Sequence, residues 1–297
     1  MKSFQYLAPI PRFDYLAPKT LPELFDILED RGREAAVIAG GTDLTIALKE
    51  GTASPKAVVD LRHLRNELGG ISLDRGTLRI GAMATFSEIE ASLTVGRYAN
   101  ALRQAAANVG TLQIRSIATL GGNLATASPA ADSAPPLIAL GANVTVLNKS
   151  GKKSLPIQDI FAGPKRSALQ SGEIVASVEI PAAEGVWSAW TRAAVRNENV
   201  LSAVSVAVAA KVRHGKFEAS RIALGAVAPT PMLAETASKA MTGSRATAEQ
   251  AEKVAILAAE DAKPISDIRA SARYRKHLVQ VLTRRLITQM LLEVQVP

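Results

Sequence analysis

Apolar residues recur along this chain at spacings that change from segment to segment, and each change marks a boundary. Leu24, Phe25 and Leu28 fall at helical intervals behind Thr20-Leu-Pro-Glu23, an N-cap hydroxyl with proline in the first turn and glutamate three residues on, which predicts a helix. The run Ala35-Ala-Val-Ile-Ala39 is short, unbroken and closed by Gly40-Gly41, so it predicts a buried strand entering a tight loop. Lys56 to Asp60 and Thr77 to Ala82 predict further strands. Thr85 to Glu88 repeats the capping-box spacing, and Asn100 to Val109 predicts an alanine-rich helix stopped by Gly110. Strands thus alternate with helices in the first half, an α/β or α+β pattern.

Asn143 to Asn148 and Ile174 to Ile180 predict two strands flanking a polar stretch with Pro156 and Pro164, and Ala182-Ala-Glu-Gly185 then reads as a connector. Beyond it the order changes. Ser188 to Arg196, Leu201 to Val212 and Arg221 to Ala228 predict a strand meander, followed by helices at Ala234 to Met241, Thr247 to Ala262 and Ala272 to Glu293. Thr247 and Gln250 have capping-box spacing, and Leu278, Leu282, Leu286 and Met290 return every fourth residue.

Composition narrows the chemistry. The 297 residues contain no Cys, which excludes disulfides, a thiol nucleophile, cysteine-ligated zinc and a cysteine-held iron–sulfur cluster in this polypeptide. A formal net charge of +8 points to anionic partners, but aromatic residues make up only 4%, too few for stacking on single-stranded nucleic acid. Pro9, Pro11, Arg12 and Asp14 interrupt any apolar core of signal-peptide type near the N-terminus. No stretch of roughly 20 apolar residues offers a membrane span. A cytoplasmic location is expected.

Two glycine-rich turns carry the candidate chemistry, Val37-Ile-Ala-Gly-Gly-Thr-Asp-Leu44 and Thr119-Leu-Gly-Gly-Asn-Leu-Ala125. Adjacent glycines let successive main-chain N–H groups face a common hollow, and nearby Thr, Asn and Asp can bond phosphate or sugar oxygens. Either turn alone also suits an ordinary tight bend; two in one half favour a diphosphate site. Neither matches G-x-G-x-x-G or the P-loop pattern.

The second turn continues as Thr119-Leu-Gly-Gly-Asn-Leu-Ala-Thr-Ala-Ser-Pro-Ala-Ala-Asp132-Ser-Ala-Pro-Pro-Leu and follows Gln113-Ile-Arg-Ser-Ile-Ala118. This resembles the flavin-binding signature of the FAD-carrying medium subunit of molybdenum hydroxylases, the xanthine dehydrogenase and carbon monoxide dehydrogenase group. Ala39-Gly-Gly-Thr-Asp-Leu44 is similar to that family's other FAD loop, and Arg221 to Pro231 and Pro264 to Arg275 resemble its C-terminal half. The resemblance implies an α+β fold, with a two-part FAD-binding domain of the vanillyl-alcohol-oxidase/xanthine-dehydrogenase type over residues 1–181 (subdomains about 1–56 and 57–181) and a smaller C-terminal α/β sandwich over 186–297.

It also implies the cofactor contacts. Ala36, Val37, Ile38, Ala39, Gly40, Gly41, Thr42 and Asp43 would wrap the FAD diphosphate and adjoining sugar, Thr42 adding a hydroxyl. Thr119, Leu120, Gly121, Gly122 and Asn123 would form the opposing cradle, Thr126 and Asp132 would bond farther along the flavin chain, and Gly110 (with Val109) would lie against the cofactor. Val175 and the strand Trp190 to Arg196 match segments near the ring. Relatives often carry Lys directly after the aromatic of that strand; here Trp190-Thr191-Arg192 leaves Arg192 or Arg196 as the basic candidates. The implied role is electron transfer from a small 2Fe–2S subunit and a large molybdopterin subunit through FAD to an acceptor such as NAD. A free-standing FAD oxidoreductase and a basic scaffold protein are the alternatives. His63, His214 and His277 have no metal-ligand spacing. The basic run Arg269, Arg273, Arg275, Lys276, Arg284 and Arg285 suits a solvated helix face or docking to an acidic partner. Trp187 and Trp190 are expected in a core or interface.

Overall fold

Three short strands, β1 (Asp14–Leu16), β2 (Ala35–Ile38) and β3 (Ala57–Asp60), form a parallel sheet in the order β1-β3-β2 in the computed structural model, which describes residues 10–196 and 199–294. Pro9 lies outside the described residues. Helix α1 (Leu21–Arg31) starts where predicted: the Thr20 hydroxyl accepts from the Glu23 N–H at 3.3 Å, while the Glu23 carboxylate reaches back to the Lys19 N–H. Its Leu24, Phe25 and Leu28 pack in a first core with Val59, Leu61, Leu64 and Leu68. Strand β3 lies just beyond the expected division near residue 56 and is the centre of this sheet. The expectation of a buried β2 does not hold. It is an edge strand paired with β3 alone, none of its residues is buried, and Val37 is 37% exposed. After the bend at Gly40-Gly41 comes α2 (Leu44–Lys49).

The middle of the chain holds α3 (Arg65–Leu68), β4 (Ile71–Asp74), β5 (Thr77–Gly81) and the helices α4 (Phe86–Ala91), α5 (Leu93–Tyr98), α6 (Asn100–Ala106), α7 (Leu112–Arg115), α8 (Leu120–Thr126) and α9 (Ala134–Ala139). The strands β6 (Asn143–Asn148), β7 (Gly151–Pro156), β8 (Phe161–Gly163), β9 (Arg166–Ser167) and β10 (Ile174–Pro181) follow. An antiparallel sheet in the order β4-β5-β10-β6-β7 is covered by these helices, and the two predicted strands β6 and β10 are neighbours in it. Thr85 and Glu88 form the predicted capping box of α4.

The predicted meander is β11 (Trp187–Ala193), β12 (Val204–Arg213) and β13 (Lys216–Gly225), extended by β14 (Met232–Leu233), with α10 (Glu235–Met241), α11 (Ala248–Asp261) and α12 (Ala272–Glu293) after it. Alternation along β12 serves two cores. Val204, Val206 and Val208 pack with Val279, Leu282, Leu286 and Met290 of α12, whereas Ala207 and Ala209 join Trp190 in the core of the middle unit. Small residues on that second face let α9 come close: a Cβ on Gly225 would meet the Ser205 hydroxyl at 2.4 Å and Pro135 at 2.9 Å. Thr247 caps α11 through the Gln250 N–H, but the Gln250 side chain donates to the Ala240 carbonyl, so the expected reciprocal box is only half made.

Candidate functional site

The two glycine turns meet. A Cβ on Gly40 would stand 2.0 Å from the carbonyl oxygen of Ile117, so the first turn lies directly on the backbone that leads into the second. Gly41 has φ +73°, open to glycine without strain. Farther round, the Thr126 hydroxyl lies 3.4 Å from the Asp43 carboxylate and donates to the Gly122 carbonyl at 2.9 Å.

The second turn is the first turn of helix α8. Thr119 is its N-cap, accepting from the Gly122 N–H at 3.2 Å. Leu120 and Gly121 donate to the carbonyls of Ala84 (3.0 Å) and Ala82 (2.8 Å), and Asn123 to that of Thr119 (3.0 Å). The expected cradle of main-chain donors from Thr119 to Asn123 is therefore largely committed within the protein. What this segment presents is the half-buried face of Gly122 and the Asn123 side chain, whose Oδ1 accepts from Ser133 at 2.6 Å. A Cβ on Gly122 would have one neighbour, the Thr119 hydroxyl at 3.0 Å, and otherwise open space, whereas one on Gly121 would strike Ala82 at 2.6 Å. The first turn is the opposite case. The N–H groups of half-buried Gly40, Gly41 and Thr42 donate to no acceptor among the described residues, an arrangement that calls for a ligand or solvent.

Asp132, expected along the flavin chain, makes its contacts within the protein. Its carboxylate is turned into the protein, one oxygen accepting from Arg192 at 2.9 Å and the other from the Ser202 hydroxyl at 2.6 Å. Burial pushes this carboxyl up to about 6, against the opposing pull of Ser202 and Arg192. Arg192 also donates to the Val200 carbonyl and, with Gln104, Asn108 and Trp190, lines a cleft of about 370 Å³. Arg196 donates to the Asn199 carbonyl instead, and the Asn199 N–H donates to Gly110, which has φ +54°. Trp190 is buried with its indole N–H unpartnered among the described residues, and Trp187 donates to Glu293 at 2.6 Å. His63, His214 and His277 are exposed. Among the described residues no cluster of three or more His, Asp or Glu could hold a metal ion, and no helix is long and apolar enough to cross a membrane.

The pattern describing the FAD-binding domain in molybdopterin dehydrogenase matches residues 11–183, and that of the CO dehydrogenase flavoprotein C-terminal domain matches residues 189–290. The chain belongs to the FAD-binding medium-subunit family of molybdenum hydroxylases. It is 31% identical to the xanthine dehydrogenase FAD-binding subunit of Escherichia coli O157:H7 over 93% of this chain and 94% of that one. It is 32% identical to the nicotinate dehydrogenase FAD-subunit of Eubacterium barkeri over 94% and 96%. The solved structure of quinoline 2-oxidoreductase from Pseudomonas putida 86 superposes with a TM-score of 0.89 at 32% identity, covering 95% of this chain and 98% of that one. Carbon monoxide dehydrogenase from Hydrogenophaga pseudoflava, in a form lacking the Mo-pyranopterin moiety, gives 0.89 at 29% identity over 94% and 96%.

This medium subunit is thus an FAD-binding oxidoreductase chain of α+β fold. The site fits that cofactor: unclaimed N–H groups on Gly40, Gly41 and Thr42 suit a diphosphate, and the bare face of Gly122 lets a ligand approach the backbone. Sequence reasoning missed the Asp132–Arg192–Ser202 network, because its members are 60 and 70 residues apart and no local spacing links them. It also placed Arg275 in the basic run on the surface of α12, whereas this side chain is buried and bonded to the carbonyls of Ala203 (2.8 Å) and Ala226 (2.6 Å).

Proposed function

We propose that this chain is the flavin station of a heteromeric molybdenum hydroxylase, located in the cytoplasm. It takes electrons from the clusters of a small 2Fe–2S subunit, supplied in turn by a large molybdopterin subunit, and delivers them to an external acceptor such as NAD. The observation that carries this reading is the abutment of the two glycine turns at Gly40 and Ile117 in a chain similar over 93% or more of its length to FAD subunits. FAD, when bound, supplies exchange between one- and two-electron chemistry.

The residues divide the work of holding it. Gly40, Gly41, Thr42 and Asp43 would grip the diphosphate region, with Ala36, Val37, Ile38 and Ala39 as the apolar approach. Gly122, Asn123 and Thr126 would face them from α8. Thr119, Leu120 and Gly121 would hold that helix end in place through their bonds to Gly122, Ala84 and Ala82. Gly110 would keep the adjoining turn close, and Asp132 would act by holding Arg192 at the cleft rather than by touching the cofactor. The absence of Cys supports electron entry from another chain.

Native purification tests this. The expected result is recovery of stoichiometric FAD on this chain together with an iron–sulfur subunit and a molybdopterin subunit, and no substrate oxidation by the isolated flavin-loaded chain. An isolated chain that turns over its own substrate would instead establish the free-standing flavoenzyme.

A further inference from the structure

Gln104, Asn108 and Arg192 line the cleft of about 370 Å³ beside Trp190, and the protein fixes each of them from one side. The Gln104 Oε1 accepts from the Trp190 N–H at 2.7 Å, and its Nε2 donates to no acceptor among the described residues. The Asn108 Nδ2 donates to the Gln104 carbonyl at 2.8 Å, and its Oδ1 accepts from no donor among the described residues. Arg192 is held by Asp132 at 2.9 Å and by the Val200 carbonyl at 3.3 Å. Asp132 does not itself line the cleft, so the positive end of that pair does.

The cleft is tied to the second glycine signature. Asp132 belongs to it, next to Ser133, whose hydroxyl donates to the Asn123 Oδ1 of α8 at 2.6 Å. An amide donor, an amide acceptor and a guanidinium complement an imide, in which two carbonyl oxygens flank one N–H. The pyrimidine end of an isoalloxazine is such an imide, and a reduced ring that has lost its N1 proton spreads negative charge onto one of those carbonyls. A cation fixed in advance at a site shielded from water favours that anion, because nothing needs to reorganise as the charge forms.

We propose that this cleft receives the pyrimidine edge of the flavin. The Asn108 Oδ1 accepts from the imide N–H, Gln104 Nε2 and Arg192 donate to the carbonyl oxygens, and Arg192 favours the reduced ring, with Asp132 as its positioning residue. The inference rests on the flavin-carrying reading above, and it adds Gln104 and Asn108, which lie outside both glycine turns.

The test measures the two-electron midpoint potential of the FAD-loaded full chain at neutral pH, and the affinity of the flavin-free chain for FAD and for N3-methyl-FAD, which lacks the imide N–H. Arg192→Gln is expected to shift the balance about tenfold towards oxidised flavin, a fall of about 30 mV, and Arg192→Lys to restore most of it. Asn108→Leu leaves the Asp132–Arg192 pair in place and serves where Arg192→Gln does not fold. Wild type should bind N3-methyl-FAD about tenfold more weakly than FAD, and Asn108→Leu should bind the two alike. Equal affinity of wild type for the two flavins would overturn the proposal, as would a folded Arg192→Gln chain of unchanged potential. So would Asn108→Leu weakening NADH binding alone, which would give the cleft to the carboxamide of an acceptor. A wild-type chain that takes up no FAD at all defeats the proposed function first and takes this inference with it.

Discussion

Asp132 and Arg192 face each other at 2.9 Å with side-chain exposures of 8% and 7%, and they join the second glycine signature to the first strand of the C-terminal sheet. The Ser202 hydroxyl completes the link from the approach to β12. One carboxylate thus holds both ends of the connection between β11 and β12.

Removing the cation alone has a signed pH signature. The Asp132 carboxyl sits near 6 in the folded chain against an ordinary 3.8, so its favourable contribution is complete below about 4 and is lost as pH rises through about 6. Arg192→Met takes away an interaction that lowers this value and should move the folded titration higher. The variant is expected to lose about 3 kcal/mol at pH 7, with a smaller deficit at pH 5, where the carboxyl is largely protonated. Denaturant unfolding at the two pH values measures it; a deficit that grows on acidification would refute the assignment.

The glycines of the two turns should respond differently to substitution. Gly40→Ala drives a methyl into the Ile117 carbonyl at 2.0 Å, so the chain should unfold at lower temperature and take up little FAD. Gly122→Val meets mainly open space on the protein side and should leave the FAD-free chain near wild-type stability while blocking the cofactor. FAD at 100 times its dissociation constant should stabilise wild type by about 2.7 kcal/mol and Gly122→Val not at all. Stoichiometric flavin in purified Gly122→Val would remove α8 from the site.

Helix α8 also shows where sequence reading stops. Two glycines in its first turn are among the poorest helix formers, so Leu120–Thr126 reads as a loop; the helix exists because Thr119 caps it and because Gly121 packs on Ala82. The strands β6, β10 and β12 were legible because their apolar periodicity is local. The exposure of β2 was not, since an unbroken apolar run cannot say whether its strand lies at the edge of a sheet. Arg275 looks like its charged neighbours on α12 until the carbonyls of Ala203 and Ala226 converge on it.

The capping role of Thr119 can be isolated. Thr119→Ala removes the acceptor for the Gly122 N–H and should cost about 1 kcal/mol, with weaker FAD binding because the half-buried face of Gly122 is no longer held. Thr119→Ser keeps the oxygen and should recover most of both. Equal losses in the two variants would mean that the methyl group, not the cap, matters.

Asp267 gives a pH dependence of the opposite sense to Asp132. Its carboxyl is held down to about 2, first by the Arg269 N–H and then, against some desolvation, by Arg275 and the Ala270 N–H. A folded value below the ordinary 3.8 means that the stabilisation is present above about 4 and disappears as pH falls through about 2. Asp267→Asn keeps an oxygen for the main-chain donors but leaves the buried Arg275 charge with only carbonyl partners. The expected loss is about 2 kcal/mol at pH 6, shrinking as pH falls below about 4 and towards 2, where half of the wild-type carboxyls are already neutral. Chemical unfolding across this range measures the difference; a constant gap would show that Asp267 braces the turn through its shape and not through its charge.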